Sequence, residues 1–317
     1  MLKYLKIIIS IFLIYFLYSY GKIDPKLIDL SYSSIQTYII VIGLIVLTIF
    51  LSAIRLFIVL NTLSLKVKFN YIFKITYIGH FFNHCLPGST GGDLIKIFYL
   101  IKKYKFFNKA ALISYIILDR LFGLAALFIL FLISLYSISD FNDNLLKLFY
   151  IFATIAVAGS LLLFIILYLN IFSKIENKLK NYKNKFIILI KDYFKNIKNI
   201  KNFKYIDILK ILIISLIIFI LAIMAILLLS GSSFSSLDDI STIGFTSSVT
   251  FFANSIPISF NGLGIGEYVF SELSTMLHEK PFHHEKTVIF GNIFLTYRIL
   301  LILSSLPGFG IFLIMKK

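Results

Sequence analysis

Residues 209–230 read LKILIISLIIFILAIMAILLLS, and Lys210 is the one charged side chain in this stretch. A helix needs about 20 consecutive, mostly apolar residues to cross the hydrocarbon core of a bilayer, and the stretch meets that length. A helix of a soluble domain keeps a polar face, which this one lacks. The stretch therefore predicts a transmembrane helix, and it places the protein among the all-α integral membrane proteins.

Five further segments have the same length and character. They cover residues 4–20, 35–60, 111–137, 145–172 and 287–313. The whole composition agrees, because 59% of the residues are hydrophobic and 15% are charged. Such a chain is not a soluble globular domain. We therefore expect a polytopic helical bundle of about six full spans that forms one transmembrane domain over residues 1–317.

The distribution of charge predicts the orientation. The chain has 31 Lys and Arg residues against 15 Asp and Glu residues, an excess that membrane proteins hold in cytoplasmic loops. The basic connections contain Lys66, Lys68, Lys102, Lys103, Lys105, Lys109 and the segment 174–210, whereas the acidic connections contain Asp140, Asp143, Asp238 and Asp239. We expect both termini in the cytoplasm, in a cytoplasmic (inner) membrane. The same reasoning makes nucleic acid a poor candidate partner.

The segment 174–210 carries eleven lysines and three acids interleaved with Phe, Ile and Tyr. This mixture is typical of a helix or pair of helices that lies at a membrane interface. The segment acts either as a positive-inside topological signal or as a surface that gathers anionic lipid, and both roles are compatible. We expect it at the cytoplasmic interface.

Two apolar segments, 71–100 and 241–277, are interrupted by proline and glycine. Basic connections flank the first segment on both sides, and acidic connections flank the second. Each segment must therefore enter and leave the membrane on one side, the two from opposite sides. We expect two re-entrant hairpins made of broken helices.

The two hairpins also resemble each other in sequence. Phe81, Phe82, Pro87 and Ser89 recur with the same spacing as Phe251, Phe252, Pro257 and Ser259. Glycines and then an acid follow in both, Gly91-Gly92-Asp93 in the first hairpin and Gly262, Gly264, Gly266 and Glu267 in the second. Two similar hairpins in opposite orientation favour an inverted-topology repeat with a central binding site. The alternative is coincidence in a chain rich in Ile and Phe.

Irregular backbone and charge inside a bilayer mark the candidate site. Unsatisfied amides and central charges are costly in hydrocarbon, so they are placed where they line a cavity or meet each other. The candidate substrate-binding residues are Asn83, Pro87, Gly91, Gly92, Asp93, Lys96, Asp119, Arg120, Pro257, Ser259, Gly262, Gly264, Glu267 and Arg298. In this hypothesis the arginines and Lys96 receive an anionic headgroup, with Asp119 and Glu267 positioning Arg120 and Arg298.

Each of these residues also has a structural interpretation. Asp93 is well placed to cap a helix, and Lys96 to extend its amine toward the interface. The charged residues of the spans are equally suited to ion pairs that hold helices together. His80 and His84, four residues apart, would suit a metal only if a third ligand approached. The sequence supports no catalytic arrangement, no metal site and no cofactor.

Three motifs in order resemble the lysylphosphatidylglycerol synthase transmembrane family, whose members contain a flippase-like domain. They are the run from Asn83 to Lys96, the run Leu118-Asp119-Arg120-Leu121-Phe122-Gly123, and the run from Ile256-Pro257 through Gly262-Leu263-Gly264 to Glu267. The resemblance covers nearly the whole chain. Two positions depart from the family pattern, Lys96 and Gly266, where Arg is more common.

The resemblance implies a domain that moves lipid between leaflets. In full-length lysylphosphatidylglycerol synthases a separate soluble domain attaches lysine to the lipid, and we expect no such domain here, because Lys317 follows the last span directly. The leading hypothesis is a translocase of a phospholipid or a lipid-linked glycan across the cytoplasmic membrane, in which both hairpins line the path of the headgroup. The expected partner is an anionic phospholipid or a polyprenyl-linked lipid. The alternatives are a relative of phosphatidylglycerol lysyltransferase or a partner subunit of a lipid-modifying enzyme, and a small-solute transporter.

Overall fold

A computed structural model describes residue 15, residues 34–62, 65–85, 91–137, residue 150, and residues 204–231, 237–255, 262–277 and 290–315. These residues form eight helices and no strand. In chain order the helices are α1 (Ile35–Thr62), α2 (Phe69–Cys85), α3 (Gly91–Lys103), α4 (Lys109–Tyr136), α5 (Tyr205–Leu229), α6 (Leu237–Ser255), α7 (Ile265–Leu277) and α8 (Phe290–Met315).

Four of these helices, α1, α4, α5 and α8, are long and apolar enough to cross a membrane. They confirm four of the predicted spans, those at 35–60, 111–137, 209–230 and 287–313. Helix α5 begins at Tyr205, before the predicted boundary, so the last residues of the basic segment 174–210 form its first turns. The predicted spans 4–20 and 145–172, and residues 174–203, lie outside the described residues.

The lipid-facing surface of the long helices is apolar. Large side chains such as Ile39, Leu47, Ile217 and Leu313 are exposed along α1, α5 and α8. Exposed apolar surface of this extent is unfavourable in water and favourable against acyl chains. The chain is therefore a multi-pass membrane protein, and its polar interior must be explained separately.

Each segment predicted to be broken is a pair of helices that pack against each other. Helices α2 and α3 cover the first segment, and α6 and α7 cover the second. The connections at residues 86–90 and 256–261, which contain Pro87, Pro257 and Ser259, lie outside the described residues.

The described helices fall into two sets of four with matching lengths. Helices α1 to α4 contain 28, 17, 13 and 28 residues, and α5 to α8 contain 25, 19, 13 and 26. Their contacts match as well. The pairs α1–α2, α2–α3, α3–α4 and α1–α4 correspond to α5–α6, α6–α7, α7–α8 and α5–α8, while α2–α8 and α1–α8 correspond to α4–α6 and α4–α5.

Helices α1 and α5, the equivalent pair, pack against each other in opposite directions. Leu56 and Leu60, late in α1, share a core cluster with Ile211, early in α5. Val41, early in α1, shares another cluster with Ile226, late in α5. Helix α1 of the first set and its equivalent α5 of the second set therefore run antiparallel to each other.

Basic side chains gather at one end of the bundle. The described lysines other than Lys96 are Lys66, Lys68, Lys74, Lys102, Lys103, Lys105, Lys109, Lys204 and Lys210, and they lie at or near the end where α1 finishes and α5 begins. At the opposite end, where α4 and α5 finish, the described residues include no Lys or Arg. We call these the basic end and the opposite end.

Candidate functional site

The first cluster of interior charges lies at the start of α3 and is called centre 1. It consists of Asp93 and Lys96 on α3 and Arg120 on α4. Lys96 Nζ donates a hydrogen bond to Asp93 Oδ1 at 3.1 Å, and Arg120 Nε donates to Asp93 Oδ2. One carboxylate is thus shared by two cations. Asp93 and Lys96 are buried, whereas about a third of the Arg120 side chain (34%) remains exposed.

Glycines allow α2 and α3 to approach closely enough to build centre 1. A Cβ atom on Gly92 would overlap the carbonyl oxygen of Gly79, and a Cβ atom on Gly79 would lie 2.6 Å from Lys96 Cε. The Gly92 N–H donates to Asn83 Oδ1 at 2.7 Å, so Asn83 satisfies one of the free amides at the start of α3. The close approach places the Lys96 side chain across the backbone of α2.

The second cluster lies at the start of α7 and is called centre 2. Arg298 Nε on α8 lies 2.6 Å from Glu267 Oε1, and Arg298 Nη2 donates to the Gly262 carbonyl oxygen at 3.2 Å. The Gly264 N–H donates to Glu267 Oε2 at 2.7 Å. Glu267 is fully buried, at 0% exposure, and Arg298 is 5% exposed. This centre is a compact, electrically balanced ion pair.

The turn that precedes α7 depends on two glycines. Gly262 and Gly264 have φ angles of +72° and +85°, a region that side chains with a Cβ atom rarely adopt. Asn254 lies against this turn and the start of α7, because a Cβ atom on Gly262 would overlap the Asn254 side chain and one on Gly266 would be 2.6 Å from Asn254 Oδ1. Asn254 thus stands beside centre 2 much as Asn83 stands beside centre 1. Its buried Oδ1 accepts no hydrogen bond from the residues that the structure describes.

A third ion pair connects three long helices. Arg55 on α1 forms a two-point contact with Asp119 on α4, with Nε–Oδ1 at 2.7 Å and Nη2–Oδ2 at 2.9 Å. Arg55 Nη1 also donates to Ser215 Oγ on α5 at 3.2 Å. Gly123 on α4 leaves room for the guanidinium, since a Cβ atom there would lie 3.1 Å from Nη1. The paired geometry ties α1, α4 and α5 together inside the bundle.

Centres 1 and 2 occupy equivalent places in the two sets of helices. Asp93 is the third residue of α3 and Glu267 is the third residue of α7, both in helices of 13 residues. Each acid pairs with an arginine from the next long helix. The centres differ in charge, because Lys96 adds a second cation to centre 1, whereas Phe270 stands three residues after Glu267.

Comparison with known families agrees with this architecture. The sequence profile of the family described as "Lysylphosphatidylglycerol synthase TM region" matches residues 4–281. The chain belongs to this family. No curated protein and no solved structure matches it. The matched range includes both hairpins and, apart from Arg298, every residue of the three ion pairs described above.

For this member of the lysylphosphatidylglycerol synthase transmembrane family, the structure gathers most predicted site residues into the two centres. Asn83, Gly91, Gly92, Asp93, Lys96 and Arg120 lie in or beside centre 1, and Gly262, Gly264, Glu267 and Arg298 form centre 2. Asp119 lies elsewhere: it pairs with Arg55, while its neighbour Arg120 pairs with Asp93. Consecutive helical residues point about 100° apart, which accounts for their separate partners.

Sequence reasoning missed three residues of these sites. Arg55 lies inside the predicted span 35–60, so the rule that draws attention to charges in spans also applied to it. Asn254 follows Phe251-Phe252 by two residues, whereas Asn83 directly follows Phe81-Phe82, and this shift by one residue concealed their similar positions. Gly79 carries no signal in the sequence, because its importance depends on contact with α3.

Proposed function

We propose that the protein is a translocase of an anionic lipid, in which the two hairpins line the path of the headgroup across the cytoplasmic membrane. The observation that carries the proposal is the pair of equivalent acid–arginine centres, placed inside a bundle of membrane-spanning helices. The three ion pairs described above lie in the interior of the bundle, where charges are costly unless they serve a polar path or a fixed assembly.

An inverted-topology repeat is part of this proposal. Matching helix lengths, matching contacts and the opposite directions of α1 and α5 support it. In such a repeat, α2–α3 and α6–α7 are re-entrant hairpins that enter from opposite sides, between about six full spans of one domain over residues 1–317. Transporters with inverted repeats bind substrate near the midplane, at broken helices.

The position of centre 1 fits a headgroup site near the midplane. Asp93 lies ten residues from Lys103 at the basic end, which corresponds to about 15 Å at 1.5 Å per residue. Half the thickness of the hydrocarbon core is about 15 Å. A phosphate at this depth requires cations, and centre 1 offers Lys96 together with the partly exposed Arg120.

The distribution of lysines supports the expected orientation, with the basic end and both termini in the cytoplasm. Phe106 is fully exposed in the turn between α3 and α4, beside Lys105 and Lys109. An aromatic ring among lysines suits the headgroup layer of an anionic leaflet. The lipid is an anionic phospholipid or a polyprenyl-linked phosphate lipid, which share the phosphate that centre 1 recognises.

The test is lipid movement in vesicles that contain the purified chain. Fluorescent phosphatidylglycerol is placed in both leaflets, and a membrane-impermeant reductant bleaches the outer leaflet. We expect bleaching beyond the outer half only when protein is present, and a slower rate for fluorescent phosphatidylcholine. Vesicles without protein and vesicles with Gly92→Val provide the baselines. Bleaching that stops at the outer half for every lipid, including a polyprenyl phosphate, would reject the translocase.

A further inference from the structure

Helix α4 carries residues of two different ion pairs at consecutive positions. Asp119 pairs with Arg55 of α1. Its neighbour Arg120 pairs with Asp93 of centre 1. After Lys109 these two are the charged residues of α4, and the rest of the helix is mostly apolar. Apolar side chains pack similarly well against lipid and against other helices, so they fix the rotation of a membrane helix weakly. The two ion pairs therefore determine which face of α4 points to centre 1.

The pair of Arg55 and Asp119 is well suited to fix this rotation. The guanidinium holds both carboxylate oxygens, at 2.7 and 2.9 Å, and a two-point contact defines orientation as well as distance. Arg55 Nη1 also donates to Ser215 Oγ of α5, and the Ser215 hydroxyl in turn donates to the Ile211 carbonyl oxygen at 2.8 Å. The guanidinium is thus held from α5 as well, which leaves α4 little freedom to turn.

A turn of α4 would change the charge of centre 1. Consecutive helical residues point about 100° apart, so a rotation that brought Asp119 toward centre 1 would carry Arg120 away from Asp93. Centre 1 would exchange a cation for a second carboxylate, and its net charge would change from positive to negative. Such a centre would repel an anionic headgroup. The charge on which the proposed function depends therefore requires the observed rotation of α4.

Centre 2 is held in a different way. The residue before Arg298 on α8 is Tyr297, which is buried against the rings of Phe251 and Phe294, with ring centroids 6.2 and 5.9 Å away. Aromatic packing thus fixes the helix that carries this arginine. Asp119, which precedes the arginine of α4, is charged, so the first set of helices needs a cation from α1 at this place.

We infer that Arg55 is the positioning residue of centre 1: through Asp119 it fixes the rotation of α4 and so holds Arg120 against Asp93. Arg55 has this effect without binding the lipid itself. The inference deepens the proposed function and rests on it for the consequence for lipid movement. The position of Arg120 is measured separately, in an experiment in which no lipid has to move.

The first experiment measures the chemical reactivity of Arg120. Phenylglyoxal modifies accessible guanidinium groups, and a carboxylate partner slows the reaction. The purified chain is treated in phosphatidylcholine vesicles, and mass spectrometry gives the rate at the peptide that contains Arg120. Asp93→Asn sets the rate in the absence of the carboxylate of centre 1. The peptide that contains Arg298, which is 5% exposed, is the internal reference for general loosening of the bundle.

Two variants and one control test the role of Arg55. Arg55→Met combined with Asp119→Leu removes the pair without leaving a buried charge, whereas Arg55→Lys keeps the charge and loses the two-point contact. We expect Arg120 to react about tenfold faster in the double variant, the effect of one lost hydrogen bond to a charged group, and at an intermediate rate in Arg55→Lys. The matched control is Ser52→Ala, which removes a hydroxyl bonded within α1 one turn earlier and should react like the parent chain.

The reaction rates decide whether Arg55 positions Arg120. A rate equal to that of the parent chain in Arg55→Lys or in the double variant would overturn the inference, because the pair would then be dispensable or its charge alone would suffice. Equal acceleration at Arg120 and Arg298 would also overturn it, because the pair would then only stabilise the bundle. If the double variant does not fold, Arg55→Lys, which keeps both charges, decides the question.

Lipid movement in the same variants separates this inference from the proposed function. We expect fluorescent phosphatidylglycerol to move about tenfold more slowly in the double variant than in the parent chain. Faster modification of Arg120 in the variants of a chain that moves no lipid would reject the translocase and keep the positioning role. Lipid movement by the parent chain, with equal modification of Arg120 in all variants, would keep the translocase and reject the positioning role.

Discussion

Asp93 and Glu267 hold the same position in two helices of equal length, and each pairs with an arginine of the long helix that follows. The surroundings of the two acids differ. Asp93 has two cationic partners, one of which is partly exposed, whereas Glu267 has one cation and a backbone N–H in a fully buried site. The two centres have equivalent geometry but unequal charge, so we expect the loss of an arginine to change stability by different amounts in the two centres.

The buried pair of centre 2 should be the more sensitive to loss of one partner. Arg298→Ala leaves Glu267 as an uncompensated buried charge, and we expect a loss of about 3–5 kcal/mol of stability. Arg120→Ala should cost less, because Lys96 still compensates Asp93. The measurement is reversible unfolding in detergent or bicelles.

A double variant serves as the control for this comparison. Glu267→Gln combined with Arg298→Met removes both charges, and we expect it to be more stable than Arg298→Ala. Equal losses for Arg120→Ala and Arg298→Ala would contradict the difference in burial between the two centres.

The contact between Gly92 and Gly79 should be sensitive to a single methyl group. Gly92→Ala places a Cβ atom on the backbone carbonyl of Gly79, which cannot move aside as a side chain can. We expect a loss of about 3 kcal/mol or more, the upper range of overpacking costs. Gly43→Ala on α1 is the matched control, because a Cβ atom there has nothing within 4 Å. If Gly92→Ala and Gly43→Ala both unfold at the same temperature as the parent chain, α2 and α3 do not approach closely.

Much of the fold followed from the sequence, because hydropathy over about 20 residues reports a helix that crosses a bilayer. Residues 209–230 and 287–313 are examples, and their helices differ from the prediction by a few residues at the ends. The break of 71–100 into α2 and α3 was also predictable from its proline and glycines. Helix ends were less predictable. Helix α5 begins at Tyr205, before the predicted boundary at residue 209, although its first turns contain the charged residues Asp207 and Lys210.

The pairing of charges could not be predicted from the sequence. Asp119 and Arg120 are adjacent, and spacing alone did not reveal that they face different helices. Asp119 meets Arg55, 64 positions earlier, and Arg120 meets Asp93, 27 positions earlier. Such partners depend on how α1, α3 and α4 are packed. The sequence identified the charges that needed partners, and the packing of the helices determined which partners they have.

The orientation of the two ends is open to direct labelling. In a Cys85→Ala background, Lys105→Cys places a thiol at the basic end, and Ser137→Cys places one at the opposite end, both at exposed positions. A membrane-impermeant maleimide should label Ser137→Cys in intact cells and Lys105→Cys only after the membrane is opened. The parent Cys85→Ala chain controls for background. Labelling of Lys105→Cys in intact cells would reverse the proposed orientation.

The charge of Lys96 is expected to set the affinity of centre 1 for phosphate lipids. Lys96→Arg keeps a cation that grips phosphate in two places, so occupancy by phosphatidylglycerol should equal or exceed that of the parent chain. Lys96→Met removes the charge at similar length, and Arg120 still pairs with Asp93, so the chain should fold and bind about tenfold more weakly. Lys96→Glu should bind least, because it sets a second carboxylate beside Asp93.

The matched control is Lys102→Met, which replaces an exposed lysine on the same helix and should bind like the parent chain. Native mass spectrometry with phosphatidylglycerol and phosphatidylcholine gives the occupancies. Equal phosphatidylglycerol occupancy in Lys96→Arg, Lys96→Met and Lys96→Glu would mean that Lys96 only neutralises Asp93, and the phosphate would then have to bind elsewhere in the bundle.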